Sequence, residues 1–595
     1  MCGIFFHLSN KEIDYNFYKK KSFLQIHRGP DKTNFVIDKF QSFSLFFASN
    51  LLNTIGKFNQ SLQPVNKENY ILILNGSIYN YADLAKKYGL NDLDSDTLIL
   101  GEGLFKTGIN FLNDCNGTFS FVFFNKISKE IIFSRDFYGV RPMYIRQDIH
   151  SISIASEYKA IANYSTDDLD IQSVSNFLKY RYTNKNNTLL KKIKKVKPGS
   201  AYSMHLVNQK IKIDEIILEK FKKNEKSLIQ NIDSSISSRL ISNQKSSLIL
   251  SGGIDSCYLA YVMSQNHIDF EAYTYVTDDN FEDLKKVKSF CKFLSIKLNE
   301  VKEEEYTFDK LKQITYHLDD PYGDPIIFSL NDLAKSISND KIRICYNGEG
   351  VDEIFGGYTH HKIFMIISFI KKYYLNGLVS STLKYLPDKI LNSFFGYSLK
   401  LSNNDMKIMK KKIHNILNNS SILELYSIIS DEDLIYKDPE IIEKINDIRI
   451  KDLTDWLPNS QLFKMDKIFM RYSIENRDPY LSRELVSHAI SIPIQKNFSI
   501  FSDKISFRKS ISNTKFPMQF FQKKKHAFTR KLIDNNFYDE LYERIIDRLE
   551  FLQQFLEKDF LEKLLNTNNT KSVIIQKQLF TIGSLLAWQE NHENR

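Results

Sequence analysis

An apolar run from Leu248 to Leu250 predicts a buried strand that ends in a glycine turn. The turn is Ser251-Gly252-Gly253, where the backbone can approach a ligand because no Cβ atom is in the way. Asp255 and Ser256 follow and open an apolar-periodic stretch that is typical of a helix. A strand, a glycine turn and a helix start bring free N–H groups and the positive end of a helix dipole together. The pattern therefore predicts an anion site, with neither Walker nor GxGxxG spacing.

The alternation of strand and helix patterns continues beyond this loop. Residues 270–276 predict the next strand, 285–294 predict a helix, and 342–346 predict a further strand. Such βαβ alternation favours a parallel, doubly wound sheet. Ligands in these sheets bind at the carboxyl ends of the strands, and residues 251–256 would lie at that edge.

The strand predicted at 342–346 also ends in a glycine turn, and this second turn is acidic. Gly348-Glu349-Gly350 leads to Asp352 and Glu353, so three carboxylates stand within a short stretch. Like charges crowded at the end of a central strand repel one another. A bound cation or an acid/base task explains them better than an ordinary surface turn does.

The N-terminal part carries a different pattern, in which a strand ends in an Asn-Gly turn at Asn75-Gly76. A helix is predicted to begin at Ser95-Asp96, which are residue types that cap helix N-termini. Removal of Met1 would make Cys2 the first residue, with its own α-amine beside the thiol. The amine and the thiol have unperturbed pKa values of roughly 8 and 8.5, so one can serve as base for the other near neutral pH.

Composition and charge exclude several classes of protein. A chain of 595 residues is too long for one core and predicts several domains. The net charge of +10 is spread thinly and is weak support for a nucleic-acid partner. Five cysteines without a CxxC pair argue against a zinc site and favour a reducing compartment. No apolar run reaches the roughly 18 residues of a membrane span, and no signal-peptide pattern is present, so a cytoplasmic location is predicted.

These motifs together resemble the asparagine synthetase family. The glycine loop resembles the pyrophosphate loop of ATP pyrophosphatases, and its combination with GEGxDExFGGY is highly specific. The N-terminal motifs resemble, in order and spacing, the class II glutamine amidotransferase domain. The resemblance implies an α/β fold of two domains. These are an αββα N-terminal-nucleophile sandwich at 2–190, a connecting segment at 191–230, and at 231–595 a doubly wound parallel-sheet ATP pyrophosphatase domain with a helical C-terminal part.

The resemblance also implies a reaction in two places. Glutamine would be hydrolysed at Cys2, while Asn75 and Gly76 hold the oxyanion and Asp96 binds the amino group of glutamine. Ammonia would pass through an internal tunnel to a carboxylate that Mg-ATP has activated as an acyl-adenylate, with Glu349 as the base. In the family, the commonest reaction converts aspartate to asparagine and releases AMP and pyrophosphate.

The resemblance assigns the nucleotide site as well. Asp255 and Asp352 would hold Mg²⁺, because hard cations prefer oxygen ligands. The predicted ATP contacts are Leu250, Ser251, Gly252, Gly253, Asp255, Ser256, Val276, Gly348 and Lys525. The expected partners are glutamine, ATP and a carboxylate acceptor. A homodimer is a further expectation, and neither nucleic acid nor membrane insertion is expected.

Two departures from the family pattern concern the glutamine site. The family has an Arg that clamps the glutamine carboxylate shortly before Gln63-Pro64, whereas the stretch around Leu52 contains none. Ser77 stands where the family usually has Glu. A charge-assisted hydrogen bond is worth roughly 1.5–3 kcal/mol, so glutamine binding is predicted to be about ten- to over a hundredfold weaker. The glutaminase is then weak, or it is tuned to another amide donor.

The identity of the acceptor carboxylate stays open at this stage. Residues 319–326, where the family shapes the acceptor pocket, are acidic and contain Pro. Amidation of a surface-polysaccharide sugar acid or of a peptide is an alternative, and so is lactam closure by a relative with a weakened glutaminase. An ATP pyrophosphatase acting on tRNA would need a Cys pair or an RNA-binding module, and the sequence has neither. A non-catalytic binding protein is disfavoured because all four key residues are present: Cys2, Asp255, Glu349 and Asp352.

Overall fold

The structure is a computed structural model that describes most of the chain. The residues outside the description are 41, 55–61, 91–92, 166, 208–209, 223, 243, 278–280, 373–426, 428–433, 436–446, 500–501, 522–534, 567–571 and 594–595. Lys525, a predicted ATP contact, therefore lies outside the described residues.

Two antiparallel sheets form the N-terminal half. Their strands are β1 (Cys2–Ser9), β2 (Lys32–Phe40), β3 (Phe43–Leu51), β4 (Val65–Asn66), β5 (Tyr70–Ile78), β6 (Gly117–Asn125), β7 (Ile131–Arg135), β8 (Tyr144–Gln147), β9 (Ser151–Ala155), β10 (Ile193–Lys195), β11 (Ser200–Val207) and β12 (Lys210–Ile217). The first sheet has the order β10-β8-β9-β1-β3-β2, and the second has the order β12-β11-β7-β6-β5-β4.

Alternate residues of these strands form the core between the two sheets. Ile4 and Phe6 of β1 are fully buried and share one cluster with Ile71 and Ile73 of β5. Because successive side chains of a strand point to opposite faces, this alternation buries one face of each sheet against the other.

Helices cover the outer faces of both sheets. The helices of this half are α1 (Tyr15–Phe23), α2 (Tyr81–Tyr88), α3 (Asp96–Thr107) and α4 (Ile171–Tyr180), with 3₁₀ turns at Ile26–Arg28, Gly108–Asn113 and Tyr158–Ala160. Helix α1 contacts β1 and β3 of the first sheet, whereas α3 contacts β5 and β6 of the second. The predicted αββα sandwich is confirmed.

A parallel sheet organises the C-terminal half. Its strands are β13 (Ser246–Ile249), β14 (Phe270–Val276), β15 (Leu298–Lys302), β16 (Ile344–Tyr346) and β17 (Glu475–Arg477), in the order β15-β14-β13-β16-β17. All pairings between them are parallel. The strand order reverses direction between β13 and β16, which makes this pair the switch point where ligands of such sheets bind. The predicted doubly wound fold is confirmed.

Helices pack on both faces of this sheet and continue to the end of the described chain. They are α5 (Leu228–Ser237), α6 (Ile254–Gln265), α7 (Phe281–Leu294), α8 (Phe308–Leu318), α9 (Ile326–Asn339), α10 (Val351–Phe355), α11 (Thr359–Lys372), α12 (Ile448–Lys451), α13 (Leu462–Arg471), α14 (Arg483–Ser491), α15 (Ile494–Asn497), α16 (Ile505–Ser512), α17 (Asn535–Asp547), α18 (Leu549–Leu552), α19 (Lys558–Leu565) and α20 (Val573–Glu593), with a π-helical stretch at Asp452–Gln461 and a 3₁₀ turn at Met518–Phe521.

Neighbouring residues of the central strands serve different cores. Ala272 packs in the cluster that includes residues of α6 and α7, whereas Tyr273 packs in the cluster on the α8 and α9 side. Cys345 and Tyr346 divide between the two clusters in the same way. Strands buried on both faces explain why these segments are continuous apolar runs.

The segment 191–230, predicted as a connection, contains β10, β11 and β12. Strand β10 pairs with β8 in the first sheet, and β11 pairs with β7 in the second. The N-terminal sheets thus extend to Ile217, and α5 begins at Leu228. Among the described helices, none combines the length and the apolar character that a bilayer crossing requires.

Candidate active sites

Cys2 begins the central strand β1 of the first sheet, and its side chain is buried. Its backbone N–H donates a hydrogen bond to Oδ1 of Asn75, at 3.2 Å. Asn75 lies in β5 of the second sheet, so the contact joins the two sheets at the edge where β1 starts. Burial raises the pKa of the Cys2 thiol, and the positive charge of the chain's amino group works against that effect. The structure therefore brings the predicted nucleophile and the predicted oxyanion residue together.

Gly76 follows Asn75 in β5 and has a backbone that other residues rarely adopt. Its φ angle is +137°, and a Cβ atom at this position would overlap the carbonyl oxygen of Thr118 in the neighbouring strand. Both facts require glycine here. The backbone N–H of Gly76 therefore directly follows Asn75, and no side chain of residue 76 covers it.

Asp96 is the first residue of helix α3, and its carboxylate is oriented by two backbone donors. The N–H of Ile78 donates to Oδ2 at 3.1 Å, and the N–H of Thr97 donates to Oδ1 at 2.8 Å. Burial raises the pKa of Asp96, although the Ile78 hydrogen bond and the chain's amino group oppose it. Since Ile78 closes the strand that carries Asn75 and Gly76, the three predicted glutamine-site residues share one corner of the sandwich.

The segment that would hold the carboxylate clamp is occupied by backbone pairing. The N–H of Leu52 donates to the carbonyl oxygen of Met1 at 2.8 Å, and the Met1 amino group donates to the Leu52 carbonyl at 3.0 Å. Arg28 lies close by, with Nε 3.5 Å from the Cys2 carbonyl oxygen. Its terminal nitrogens are held by Asp466 at 2.8 Å and by Glu157 at 3.3 Å. Arg28 is therefore engaged elsewhere.

The second site lies where the loops after β13 and β16 meet. Gly252 has a φ of +73°, and the Ser251 N–H donates to Oγ of Ser256 at 3.3 Å, which closes the first loop onto the start of α6. Gly348 belongs to the second loop. A Cβ atom on Gly348 would stand 3.2 Å from the Cβ of Asp255 and from the N of Ser256. The two predicted motifs are thus in contact at the switch point of the sheet.

Two carboxylates from these loops converge on a single cation. Nζ of Lys504 lies 2.6 Å from Oδ2 of Asp255 and 2.6 Å from Oδ1 of Asp352. Burial alone would lower the pKa of Lys504, but the two carboxylates outweigh it and raise that pKa above its usual value. The Asp255 and Asp352 side chains remain 18% and 34% exposed, so a ligand can reach them. Two carboxylates on one cation position fit a divalent metal, with Lys504 occupying that position here.

Glu349 belongs to the same acidic segment as Asp352, and its backbone is held at the end of the sheet. Its N–H donates to Oδ1 of Asn347 at 2.7 Å, and Nδ2 of Asn347 donates to Oδ1 of Asp478 at 2.9 Å. Burial raises the pKa of Asp478 to about 6, although the Asn347 hydrogen bond and the charge of Arg141 oppose it. Glu349 is half-buried, so part of the residue is exposed to solvent.

Glu353 is a further carboxylate of the acidic loop, and it differs from Glu349. It is fully buried, and Oη of Tyr358 donates to its Oε1 at 2.8 Å. Burial, followed by the charges of Glu349 and Asp352, raises the pKa of Glu353 well above its usual range. Glu353 is therefore held in the interior by Tyr358, whereas Glu349 is partly exposed.

The residues predicted to contact adenosine lie around the same strand ends. Leu250 directly follows β13 and is fully buried, and its N–H donates to the Tyr273 carbonyl at 2.8 Å. Val276 ends β14 and is half-buried. With Gly348 after β16, they line the carboxyl ends of three neighbouring strands.

One helix contacts both sites. Met470, near the end of α13, packs in a small cluster with Met1 and Leu52. Lys464, near its start, is buried, and the neighbouring Tyr322 hydroxyl and the Glu349 carboxylate raise its pKa against the effect of burial. Helix α13 thus lies between the Cys2 site and the Glu349 site.

The stretch expected to shape the acceptor pocket divides into two parts. Asp319 is buried and binds Nζ of Lys159 at 3.0 Å, and Asp320 accepts from the Thr183 hydroxyl at 2.8 Å. Both aspartates therefore hold the two halves of the chain together. Tyr322 points instead towards Ser460, at 2.9 Å between hydroxyl oxygens, close to Lys464.

Several contacts of these sites join residues that are distant in sequence. Lys504 is distant in sequence from the two carboxylates that it bridges, and Arg28 meets Asp466 across the two halves. Gln63 is likewise distant from Cys2 in sequence, and its Nε2 lies 3.7 Å from Sγ of Cys2. Only three-dimensional proximity identifies these contacts.

Two family models match adjoining parts of the chain. The glutamine amidotransferase domain matches residues 1–216, and asparagine synthase matches residues 227–590. The chain belongs to the asparagine synthase family. It is an ATP-dependent ligase in which a class II glutamine amidotransferase is fused to an ATP pyrophosphatase domain, as the motifs predict.

Similar proteins extend over most of the chain. Asparagine synthetase (glutamine-hydrolyzing) 1 of Bacillus subtilis strain 168 is 25% identical over 612 residues, which covers 97% of this chain and 94% of the relative. Asparagine synthetase (glutamine-hydrolyzing) 2 of the same strain is 23% identical, covering 82% of this chain and 66% of the relative. Likeness to solved structures is low. For the allosteric regulatory enzyme of purine biosynthesis the TM-score is 0.28 at 13% identity, covering 53% of this chain and 77% of the other. The fold assignment rests on the chain's own sheets.

Proposed function

We propose that this chain makes asparagine from aspartate, with nitrogen taken from glutamine and with ATP cleaved to AMP and pyrophosphate. The observation that carries the proposal is the convergence of Asp255 and Asp352 on one cation position, with Glu349 in the same acidic segment as Asp352. A glycine loop for phosphate, a pair of metal-binding carboxylates and an accessible carboxylate base are what adenylation followed by amination needs.

The nitrogen is released at the N-terminal site. Once Met1 is removed, the α-amine of Cys2 accepts the thiol proton, and the thiolate adds to the side-chain carbonyl carbon of glutamine. Asn75 and the N–H of Gly76 stabilise the oxyanion, and Asp96 binds the amino group of the substrate. The C–N bond breaks and ammonia leaves. Water then hydrolyses the Cys2 thioester to glutamate and restores the thiol.

The acceptor is activated at the switch point of the parallel sheet. The backbone from Ser251 to Ser256 binds the phosphates of ATP, and Leu250, Val276 and Gly348 contact adenosine. Asp255 and Asp352 would hold Mg²⁺, which when bound neutralises charge on the pyrophosphate. A carboxylate oxygen of aspartate attacks the α-phosphorus, and the bond to the β-phosphate bridging oxygen breaks. Ammonia then attacks the acyl carbon, Glu349 accepts a proton, and AMP leaves with the C–O electron pair.

The acceptor is tested by ATP–pyrophosphate exchange over a panel of carboxylates. The purified chain is given Mg-ATP and labelled pyrophosphate with aspartate, glutamate, a sugar acid or a carboxylate-bearing peptide. Exchange that depends on aspartate supports the proposal. If exchange were absent with aspartate but present with another carboxylate, that carboxylate would be the acceptor, and the adenylation chemistry would stand.

The glutamine site is expected to make little use of the substrate's carboxylate. Replacing that carboxylate by a neutral amide, as in glutaminamide, will lower kcat/KM for ammonia release by less than about threefold. The reason is that the described residues around Cys2 include no Arg that is available to bind the carboxylate. A clamping Arg would make the loss about ten- to over a hundredfold. The measurement is the rate of ammonia release from glutamine and from glutaminamide.

A second analogue serves as the matched control. Glutaramate, which lacks the amino group proposed to bind Asp96, is expected to lose about tenfold or more in kcat/KM. A loss beyond tenfold for glutaminamide would contradict the prediction, and it would direct the search for a clamp to Lys57, a cation outside the described residues.

A further inference from the structure

A buried glutamine of the chain itself faces the sulfur of Cys2. Gln63 lies in the connection between β3 and β4, and only 4% of the residue is exposed. Its Nε2 lies 3.7 Å from Sγ of Cys2. Nothing in the proposed two-site reaction requires this amide, so its position needs an explanation of its own.

The orientation of the Gln63 amide is determined by its other end. The N–H of Leu74 donates to Oε1 of Gln63 at 2.6 Å. Because a backbone N–H can only donate, the atom facing Leu74 must be the oxygen, and the atom facing the sulfur must be the NH₂ group. The sulfur of Cys2 is therefore the acceptor in this contact. A donor held against a sulfur favours the thiolate over the thiol.

The Gln63 amide is held by strand β5, which also carries the proposed oxyanion residues. Leu74 immediately precedes Asn75 in β5, and Asn75 binds the backbone N–H of Cys2 at 3.2 Å. The Gln63 backbone is held independently, because Nδ2 of Asn34 donates to its carbonyl oxygen at 3.1 Å. Strand β5 thus fixes the position of Cys2 twice, once through its backbone and once through its sulfur.

We propose that Gln63 is a positioning residue of the glutaminase site, whose side-chain N–H holds the Cys2 sulfur in place and stabilises its thiolate form. The inference rests on the proposed role of Cys2 as nucleophile. Burial raises the pKa of this thiol, so a buried donor beside the sulfur offsets part of that effect.

Two substitutions of Gln63 distinguish the effect of its hydrogen-bond donor from the effect of its packing. Gln63→Met removes the donor and keeps the length of the side chain. Gln63→Glu keeps an oxygen for the Leu74 N–H and replaces the donor by an acceptor. The readout is the pH dependence of inactivation by the chloroketone analogue of glutamine, which alkylates the nucleophilic thiol. We expect the midpoint to rise by about one pH unit in Gln63→Met and further in Gln63→Glu, with about tenfold slower inactivation near neutral pH.

Gln25→Met is the matched control. Gln25 is also buried, and its Nε2 donates to the Ile4 carbonyl at 2.8 Å, not to sulfur. In Gln25→Met, the midpoint of the pH dependence of inactivation is expected to stay at the wild-type value. ATP–pyrophosphate exchange reports that each variant is folded.

Two outcomes would overturn the inference in distinguishable ways. An unchanged midpoint and rate in both Gln63 variants, with exchange intact, would mean that Gln63 only fills space. Equal labelling of wild type and Cys2→Ser would mean that Cys2 is not the nucleophile, and the proposed glutaminase would fail together with the inference.

Discussion

Replacing Cys2 by alanine will abolish glutamine-dependent amide synthesis and leave ammonium-dependent synthesis intact. The substitution removes the atom that forms the thioester, and loss of a catalytic nucleophile commonly costs about a thousandfold or more in rate. Ammonium needs only the second site, whose Glu349 follows β16 of the parallel sheet, whereas Cys2 begins β1 of the first antiparallel sheet. With saturating ammonium, synthesis is expected to stay within about twofold of wild type. The measurement is amide formation with each nitrogen source.

The control for this prediction is Cys115→Ala. Cys115 is also a buried free thiol of the N-terminal half, and its Sγ contacts the Phe111 carbonyl at 3.5 Å. Both nitrogen sources should continue to support synthesis in this variant. If Cys2→Ala lost glutamine and ammonium activity equally, the division of the reaction between two sites would be wrong.

Replacing Glu349 by glutamine will stop amide formation with either nitrogen source while ATP–pyrophosphate exchange continues. Adenylation depends on the glycine loop and on the carboxylates Asp255 and Asp352, which this change leaves in place. The amination step loses its base, and such a loss typically costs about 10²–10⁴-fold. The measurement compares amide formation with exchange in the same preparation.

Glu353→Gln is the matched control for this change. Burial and neighbouring charges raise the pKa of Glu353 well above its usual range and thus disfavour a charge there, and glutamine keeps the size of the side chain and an oxygen for the Tyr358 hydroxyl. Amide formation is expected to stay within about threefold of wild type. Loss of exchange in Glu349→Gln would contradict the role assigned to Glu349, because the residue would then act in adenylation.

The two glycine loops could be predicted because all their information is local. Each follows an apolar run, breaks at glycine and supplies carboxylates at once, and the strand order then brings the ends of β13 and β16 together. The convergence of Asp255 and Asp352 follows from that rule. The resemblance of the N-terminal motifs to the class II glutamine amidotransferase domain likewise implied the sandwich and the meeting of Cys2 with Asn75.

Long-range contacts and short edge strands could not be predicted in the same way. Lys504 and Gln63 reach their partners from distant parts of the chain, so no periodicity connects them. Strand β12 carries alternating charged residues and pairs only with β11 at the sheet edge, which made residues 191–230 resemble a connection. Asp319 and Asp320 resemble pocket residues in sequence, yet both are buried and join the two halves of the chain through Lys159 and Thr183.

The central claim is that nitrogen released at Cys2 is delivered to the adenylate within one chain. The direct measurement uses glutamine labelled with ¹⁵N in its side-chain amide, together with aspartate, Mg-ATP and a large excess of unlabelled ammonium. The amide product is analysed by mass spectrometry beside the free ammonia of the solution. We predict that the product carries a higher ¹⁵N fraction than the free ammonia. Equal fractions in product and solution would contradict the claim.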